Sequence, residues 1–343
     1  MKAAVFKAVG QPLAIEHRPD PIPSQGEVVL RVGRCGICSS DLHMTSGHGV
    51  SFPVDTVLGH EYAGEVLEVG KGVTSLQAGD LITALPMTGC GACVSCLRGF
   101  PFGCSAMQPL MSGYAEYARA SARFAVKLPQ SLSLADGALI EPLASSLHGV
   151  GMAAIKPDSR VVVLGVGTIG LGAIYWAKRA GAARIVAVGR SERHKELAMQ
   201  MGATHFLVHT DALAQAAAAL LGRPPEIVFE CIGAPGALSM GIDVVAPHGT
   251  VIVLGMCTVA DSMTPCFAGF KSIVMKFSAA YELRDFETAA DALDGGAVEP
   301  RAMVTETISL DGLPEVFEQL RKTPRGCKVL VAPGSSDDTL AHS

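Results

Sequence analysis

The first part of the chain, residues 1 to about 148, has the pattern of short β-strands. Runs such as EVVLRVG (27–33) and YAGEVLEVG (62–70) are rich in β-branched residues, and Gly, Pro and Asp separate them. Such runs between turn residues are typical of strands that bury one face. This part is therefore predicted to form a mostly antiparallel β domain.

The pattern changes after Pro157, where strand-like apolar runs alternate with helical stretches. The predicted strands are RVVVLG (160–165), RIVAVG (184–189), HFLV (205–208), EIVFECIG (226–233) and TVIVLG (250–255). A further strand is predicted at IVMKFSAA (273–280), although no obvious helix precedes it. This alternation predicts a parallel sheet with helices on both faces.

Length and charge limit the classes of protein that the chain can belong to. Its 343 residues suggest two domains. The net charge is −5 and the lysines and arginines form no stripe, so nucleic acid is not an expected partner. The N-terminus lacks the apolar core of a secretory signal and no run of eighteen apolar residues exists, which predicts a cytoplasmic protein with no membrane partner. The small, polar tail from Gly334 to Ser343 is expected to fray.

The segment CGACVSCLRGFPFGC (90–104) places four cysteines within fifteen residues. In a cytosolic protein such clusters bind metal more often than they form disulfides. The spacing suits a closed, tetrahedral zinc site with a structural role, and an iron–sulfur cluster or a dithiol redox pair are the alternatives. The predicted ligands are Cys90, Cys93, Cys96 and Cys104.

The segment GVGTIG (165–170) fits the pattern G-x-G-x-x-G between a predicted strand and a predicted helix. In that position the glycines allow a tight turn, a close approach of the backbone to a pyrophosphate and close packing of helix on strand. The helix N-terminus then stabilises the phosphates. The predicted contacts with a dinucleotide come from Gly165, Gly167, Thr168, Ile169 and Gly170.

The end of the next strand indicates which dinucleotide binds. NAD sites usually have an acidic residue there, which binds the ribose 2′-hydroxyl. This chain has Gly189, followed by Arg190, Ser191 and Arg193. Arginines can bind a 2′-phosphate by charge-assisted hydrogen bonds, so NADP(H) is predicted. Solvated arginines with NAD as the cofactor are the alternative, which the acidic Glu192 keeps open.

Two more motifs, CGICSSDLH (35–43) and GHEYAGEV (59–66), lie in the first part of the chain. A lone Cys or His in a β domain usually packs in the core, but these motifs accompany the four cysteines and the glycine loop. Together they resemble the zinc-dependent medium-chain dehydrogenase/reductase family, which includes alcohol, sorbitol and threonine dehydrogenases. The resemblance extends from MKAAV to CKVLV, with the motifs in the order of the family.

The resemblance implies a catalytic zinc, and thus two zinc ions per chain. Cys38 matches the thiolate ligand and His60 the imidazole ligand, while Glu61 and Glu141 are alternatives for the third protein ligand. A zinc ion with one open position acts as a Lewis acid on an alcohol or carbonyl oxygen.

The resemblance also assigns the residues that move protons and support the ligands. Ser40 matches the hydroxyl of the proton relay and His43 matches its outer end. Asp41 matches an acid that supports the ligands, and such an acid would hold the tautomer of a histidine ligand.

The substrate is indicated less sharply than the reaction. His48, Phe52, Leu110 and Met111 are the candidate pocket residues, and the apolar ones suggest a secondary alcohol and its ketone, cyclic or aryl. Ordinary core packing explains each of them equally well. Sorbitol dehydrogenases often have an Arg-Tyr pair that contacts polyol hydroxyls, whereas this chain has Ala280 and Tyr281, which argues against a sugar alcohol.

Other functions compete with an NADP(H)-dependent zinc alcohol dehydrogenase. An NAD-dependent polyol or amino-alcohol dehydrogenase is the nearest alternative. The zinc-free quinone reductases of the same superfamily lack the cysteine cluster and the ligand pair. A non-catalytic zinc- or NADPH-binding homologue tends to lose a ligand or the relay hydroxyl, and this chain retains them.

The resemblance finally implies the fold and the assembly. A GroES-like, mostly β catalytic domain is expected over residues 1–148 and 289–343. A doubly wound α/β Rossmann domain is expected over residues 149–288. Kinship suggests a homotetramer, with a dimer as the alternative.

Overall fold

The computed structural model describes residues 1–323 and 326–334 and divides into two units. One unit is Met1–Ala144 with the described residues from Tyr281 onward, and the other is Ser145–Ala280. These boundaries fall a few residues before the predicted ones, and the first lies inside a long helix, Leu134–Gly151. Of the tail that was expected to fray, only Gly334 belongs to the described residues.

Up to Gly151 the chain forms short strands with three helices. The helices are α1 (Ser39–His43), α2 (Val94–Leu97) and α3 (Leu134–Gly151). The strands are β1 (Lys2–Phe6), β2 (Ala14–His17), β3 (Glu27–Gly36), β4 (Thr56–Val57), β5 (Glu61–Val69), β6 (Leu81–Ala84), β7 (Met87–Thr88), β8 (Gln108–Pro109), β9 (Tyr117–Ser121) and β10 (Ala125–Lys127).

The middle of the chain alternates strands and helices as the sequence predicts. The strands are β11 (Arg160–Leu164), β12 (Arg184–Gly189), β13 (His205–Val208), β14 (Ile227–Glu230), β15 (Thr250–Val253) and β16 (Val274–Phe277). The helices are α4 (Thr168–Arg179), α5 (Lys195–Gln200), α6 (Leu213–Leu221), α7 (Ala237–Val244) and α8 (Pro265–Lys271). The C-terminal part adds α9 (Leu283–Asp294), β17 (Val304–Ser309), α10 (Leu313–Lys322) and β18 (Lys328–Ala332).

The first unit is built on a mostly antiparallel sheet, as the sequence predicts. Its strand order is β10-β6-β5-β3-β18-β17, with β9 also paired to β3, and only β17 and β18 run parallel. A smaller sheet has the order β2-β1-β4. Buried residues of both sheets and of α10, including Tyr62, Tyr114 and Phe317, form one apolar core. Strand β18 lies beside β3, so the end of the chain reaches the strand that leads into Cys38.

The second unit contains a six-stranded parallel sheet with the order β13-β12-β11-β14-β15-β16. This is the order of a doubly wound Rossmann sheet, and it confirms the predicted fold class. The strands are rich in buried valines such as Val162, Val186 and Val228, as expected of a parallel sheet. Strand order reverses between β11 and β14, which is where such sheets bind ligands.

One helix of the second unit escaped the sequence prediction. Helix α8 begins at Pro265, a favourable first helical position, with Thr264 before it. None of its residues is buried, and Phe267 and Phe270 point their apolar surface outward. Without a buried stripe, the helix shows no apolar period that would reveal it in the sequence.

No helix within residues 1–323 and 326–334 is long and apolar enough to cross a bilayer.

Candidate active site and metal centres

Three side chains of the first unit converge as metal ligands would. Cys38 directly precedes α1, His60 directly precedes β5, and Glu61 begins that strand. Their ligand atoms all lie within 4.8 Å of one another. Thiolate, imidazole and carboxylate at this spacing can close around one zinc ion at the usual 2.0–2.3 Å bond lengths. The set therefore fits the predicted catalytic zinc.

Asp41 lies beneath the histidine of this cluster. Its carboxylate is fully buried, lies 3.3 Å from Nδ1 of His60 and accepts a 2.7 Å hydrogen bond from the hydroxyl of Tyr114. Burial would raise the pKa of Asp41, but the charge and hydrogen bond of His60 and the hydrogen bond of Tyr114 lower that pKa overall. An ionised Asp41 in this position can accept the Nδ1 proton of His60, which leaves Nε2 for a metal.

The predicted relay hydroxyl lies next to the ligands. The Ser40 hydroxyl donates to Sγ of Cys38 at 3.2 Å and lies 3.4 Å from Nε2 of His60. His43 is in the last turn of the same short helix and is partly exposed. Helix α1 thus carries Ser40, Asp41 and His43 within five residues. The relay from Ser40 to His43 remains a prediction.

A buried lysine that the sequence did not single out is bonded to Glu61. Nζ of Lys328, the first residue of β18, lies 2.7 Å from Oε1 and 2.5 Å from Oε2 of Glu61. The side chain of Lys328 is 2% exposed and that of Glu61 is 1% exposed. Burial would lower the pKa of Lys328, but the charge of Glu61 raises that pKa overall. The only sequence signal for this residue is a charge at the start of the apolar run VLVA.

The second candidate carboxylate, Glu141, lies outside the close group of three. It is on α3, is buried and is hydrogen-bonded to Tyr281. Burial and, to a smaller extent, the charge of Glu61 raise the pKa of Glu141, while His60 and Tyr281 oppose the rise, and the resulting pKa is about 7. Tyr281, the remaining half of the Arg-Tyr pair of sorbitol dehydrogenases, is thus in contact with a candidate ligand.

The four clustered cysteines come together as a second metal centre. Ligand atoms of Cys90, Cys93, Cys96 and Cys104 lie within 4.8 Å of one another. Helix α2 carries Cys96, whose pKa burial raises to about 12, and backbone N–H groups lower the pKa of Cys90 to about 6. All ten cysteines of the chain belong to the described residues, and none forms a disulfide. The arrangement fits the predicted structural zinc.

The glycine loop has the geometry that a dinucleotide requires. Gly165 has a φ of +92°, which favours glycine, and a Cβ at Gly170 would collide with the carbonyl oxygen of Gly165. By contrast, a Cβ at Gly167 would meet nothing within 4 Å, so the backbone there is open. Helix α4 starts at once with Thr168 and Ile169. The loop can therefore present the helix N-terminus to a pyrophosphate.

The residues after β12 are the predicted contacts with the ribose of a dinucleotide. Arg190, Ser191 and Arg193 are exposed, and Glu192 is paired with Lys195 at 2.8 Å. A Cβ at position 189 would stand 2.8 Å from the ring of Phe206 and 3.1 Å from Cγ2 of Val166. The glycine therefore does not itself open space for a phosphate. Because position 189 is a glycine, no carboxylate stands there to repel a phosphate.

His194 is a neighbour of this segment that the sequence analysis did not include. Its Nδ1 lies 2.8 Å from the carbonyl oxygen of Val166, inside the glycine loop. This contact ties the segment after β12 to the loop after β11. Histidine in a short polar segment gives no sequence signal for such a contact.

The candidate pocket residues do not form one group. His48 is exposed, and Phe52 packs against the core of the first unit. Leu110 and Met111 line a cavity of about 250 Å³. None of the metal-ligand candidates lines that cavity. The core-packing explanation thus fits Phe52 best.

Comparison with known proteins identifies the family of the chain. Residues 24–130 match the family model of the alcohol dehydrogenase GroES-like domain, and residues 168–295 match that of zinc-binding dehydrogenases. Sorbitol dehydrogenase of Ovis aries is 31% identical, covering 95% of this chain and 94% of its own length.

Two solved structures are similar over nearly the whole chain. The 2R,3R-butanediol dehydrogenase of Bacillus subtilis superposes with a TM-score of 0.86 at 30% identity and covers 97% of this chain and 99% of its own. A zinc-binding dehydrogenase of Sinorhizobium meliloti, solved with NADP, gives 0.86 at 31% identity with the same coverage. With these relatives and both family models, the chain belongs to the zinc-dependent medium-chain dehydrogenase/reductase family, as an oxidoreductase of the alcohol and polyol dehydrogenase type.

Proposed function

We propose that this protein transfers a hydride between NADP(H) and a secondary alcohol or its ketone, with two zinc ions per chain. The observation that carries the proposal is the convergence of Cys38, His60 and Glu61 beside the hydroxyl of Ser40. That group combines a metal-ligand set with a proton carrier, which is what the oxidation of an alcohol requires.

The residues of the chain have separate roles in this reaction. Zinc held by Cys38, His60 and a carboxylate would supply a Lewis acid for the substrate oxygen. Oγ of Ser40 takes the hydroxyl proton of the alcohol and passes it outward, and His43 at the end of α1 receives it near solvent. Asp41 holds the Nδ1 proton of His60 throughout.

The preference for NADP(H) is supported by the segment after β12. Arg190 and Arg193 are exposed there, and Glu192 forms an ion pair with Lys195 at 2.8 Å. No carboxylate stands at position 189 to repel a 2′-phosphate. The similar structure from Sinorhizobium meliloti was solved with NADP.

The proposed substrate is an apolar secondary alcohol, cyclic or aryl. Polyol oxidation is a second candidate, because a sorbitol dehydrogenase is among the relatives. The alanine at position 280 favours the first candidate, since this chain lacks the arginine that often contacts polyol hydroxyls in sorbitol dehydrogenases. A cytoplasmic location is proposed with it, since a cluster of four free thiols suits a reducing compartment.

The test is a set of initial rates on ketones, aldehydes, secondary alcohols and polyols, each with NADP(H) and with NAD(H). We expect turnover of apolar secondary alcohols and ketones with NADP(H). Turnover mainly with NAD(H), or mainly of polyols, would overturn the corresponding part of the proposal.

A matched pair of variants tests the metal site. Cys38→Ser should abolish turnover and leave NADPH binding intact, because the thiolate ligand is lost. Cys266→Ser is the control, since Cys266 is exposed and belongs to neither candidate metal site. Undiminished turnover in Cys38→Ser would contradict the assignment of the catalytic zinc.

We also propose that copies of the chain assemble, as a tetramer or a dimer, through an apolar face of the second unit. The edge strand β16 pairs only with β15 among the described strands. Seven large apolar side chains within 22 residues around it are 41–82% exposed: Met256, Val259, Met263, Phe267, Phe270, Val274 and Phe277. Such an edge is prone to pair with another chain.

The charges near this face favour a second copy as the partner. The two lysines of α8 and β16 donate to backbone carbonyls of their own unit: Lys271 to those of residues 242, 243 and 245, and Lys276 to that of Met152. The face therefore offers no obvious attraction for a charged partner. Phe270→Glu should lower the mass measured by light scattering, whereas Val94→Glu, at an exposed site of the first unit, should not. An unchanged mass in Phe270→Glu would overturn this interface.

A further inference from the structure

The buried pair of Lys328 and Glu61 places a fixed cation beside a candidate metal ligand. The ammonium of Lys328 has three donors, and the structure provides three acceptors, the two oxygens of Glu61 and the carbonyl oxygen of Ile37 at 3.0 Å. Each of the three N–H groups of the ammonium thus has an acceptor in this arrangement. A side chain in that position cannot move away without leaving a buried charge unpaired.

The sheet is built to bring these two residues together. Strand β3 lies between β5, which begins at Glu61, and β18, which begins at Lys328. Gly36 of β3 has Glu61 as its partner on one side and Leu330 on the other. A Cβ at Gly36 would collide with Oε2 of Glu61. The glycine therefore clears the space in which the carboxylate meets the lysine.

Glu61 also belongs to the group that could hold a metal. Its carboxylate lies within 4.8 Å of the ligand atoms of Cys38 and His60. A metal ion and Lys328 are thus two cations that would bind the same carboxylate. Each can neutralise it, and they repel one another across a short, buried distance.

We propose that Lys328 acts as a resident counter-ion, which holds Glu61 in place in the metal-free protein and weakens the binding of metal by that carboxylate. Lys328 is a positioning residue in this scheme, and the inference rests on the proposed catalytic metal site. The opposing charge keeps the site formed before metal arrives. It also makes Glu61 a weakly held ligand.

The sign of the effect follows from the two end states. Removing the charge of Lys328 leaves Glu61 without a partner in the metal-free protein, whereas a bound metal still neutralises it. A variant without this charge is therefore destabilised more in the metal-free state than in the metal-bound state. The repulsion between the metal ion and residue 328 is also absent from it. Metal binding should become tighter although a favourable contact has been removed.

The experiment uses metal-depleted full-length protein titrated with Zn²⁺, and separately with Co²⁺, against a chromophoric chelator. Lys328→Met should bind the metal of the Cys38 site at least tenfold more tightly than the wild type, and it should unfold at a lower temperature when metal-free. The four-cysteine site is the internal control, and its affinity should not change. Lys328→Arg retains the charge and should stay close to the wild type.

A double-mutant cycle separates this effect from general damage. In a Glu61→Gln background, Lys328→Met should no longer tighten metal binding, because the carboxylate that binds both the metal ion and Lys328 has been removed. Lys328→Gln provides a second uncharged variant should Lys328→Met fail to fold, and the same gain in affinity is expected. The absorption bands of bound Co²⁺ should differ between the wild type and Lys328→Met if the hold of Glu61 on the metal changes.

The outcomes distinguish this inference from the proposed function. Uptake of two metal ions per wild-type chain with no gain in affinity in the uncharged variants would overturn the role of Lys328 alone. A gain that persists in the Glu61→Gln background would overturn it as well. Uptake of a single ion per wild-type chain would overturn the catalytic metal site and this inference together.

Discussion

The carboxylate of Asp41 lies 3.3 Å from Nδ1 of His60, on the side of the ring opposite to Ser40. The two residues come from different elements, helix α1 and the turn before β5. The turn before β9 supplies Tyr114, whose hydroxyl donates to the other oxygen of Asp41 at 2.7 Å. The direction of the imidazole is thus set by a buried carboxylate that is itself held in place.

Asp41→Asn should weaken metal binding at the Cys38 site by about 10- to 100-fold, because the amide is a poorer acceptor for the Nδ1 proton of His60. The measurement is metal content and affinity after dialysis against a chelator, with the four-cysteine site as the reference. Tyr114→Phe retains the carboxylate and should have a smaller effect. Equal affinities in the wild type and Asp41→Asn would show that Asp41 does not support the ligand.

Cys96→Ser should lower the free energy of unfolding by about 4 kcal/mol, because a closed metal site contributes directly to folding. Cys96 is buried among the other three cysteines, so a serine there would leave the metal with three thiolates. Denaturant unfolding followed by circular dichroism gives the value, and the exposed Cys266→Ser is the control. A variant as stable as the control would contradict a structural role for the cluster.

Arg190→Ala should raise KM for NADP⁺ by about 10-fold or more and leave KM for NAD⁺ nearly unchanged. A charge-assisted hydrogen bond to phosphate is worth about 1.5–3 kcal/mol. NAD⁺ has no 2′-phosphate, so the variant loses no such bond to it. Arg223→Ala is the matched control, because Arg223 is paired with Glu226 at 2.6 Å near the starts of the strands. A parallel rise for both dinucleotides would mean that Arg190 does not recognise the phosphate.

The stability of metal-depleted protein should depend on pH through Glu141. Burial raises the pKa of Glu141 to about 7, so the folded state binds its proton more tightly than the unfolded state. The resulting stabilisation is complete below the ordinary pKa of glutamate and is lost as the pH rises through about 7. Between pH 5 and pH 8 this amounts to roughly 2 kcal/mol.

Glu141→Gln tests that dependence because the amide does not titrate. Denaturant unfolding of metal-depleted protein at several pH values should show a steeper fall for the wild type than for Glu141→Gln. The exposed Glu68→Gln serves as the control and should follow the wild type. Identical slopes for the wild type and Glu141→Gln would show that Glu141 is ionised across this range.

The sequence by itself determined the features that depend on local spacing. The parallel sheet of the second unit followed from alternating strands and helices, because parallel neighbours need a crossover connection, which a helix supplies. The four cysteines and the glycine loop each lie within fifteen residues, so their spacing predicts them without any contact between distant residues. Helix α8 was missed because its apolar residues face outward and leave no buried stripe.

Tertiary structure alone decided which distant side chains support the candidate site. Lys328 and Glu61 are 267 residues apart, and they meet only because β18 is placed beside β3. Tyr114 and Asp41 are brought together in the same way by the core of the first unit. It also showed that the missing side chain of Gly189 faces Phe206 rather than open space. Contacts between strands depend on sheet order and register, and a single sequence carries no local signal for either across such separations.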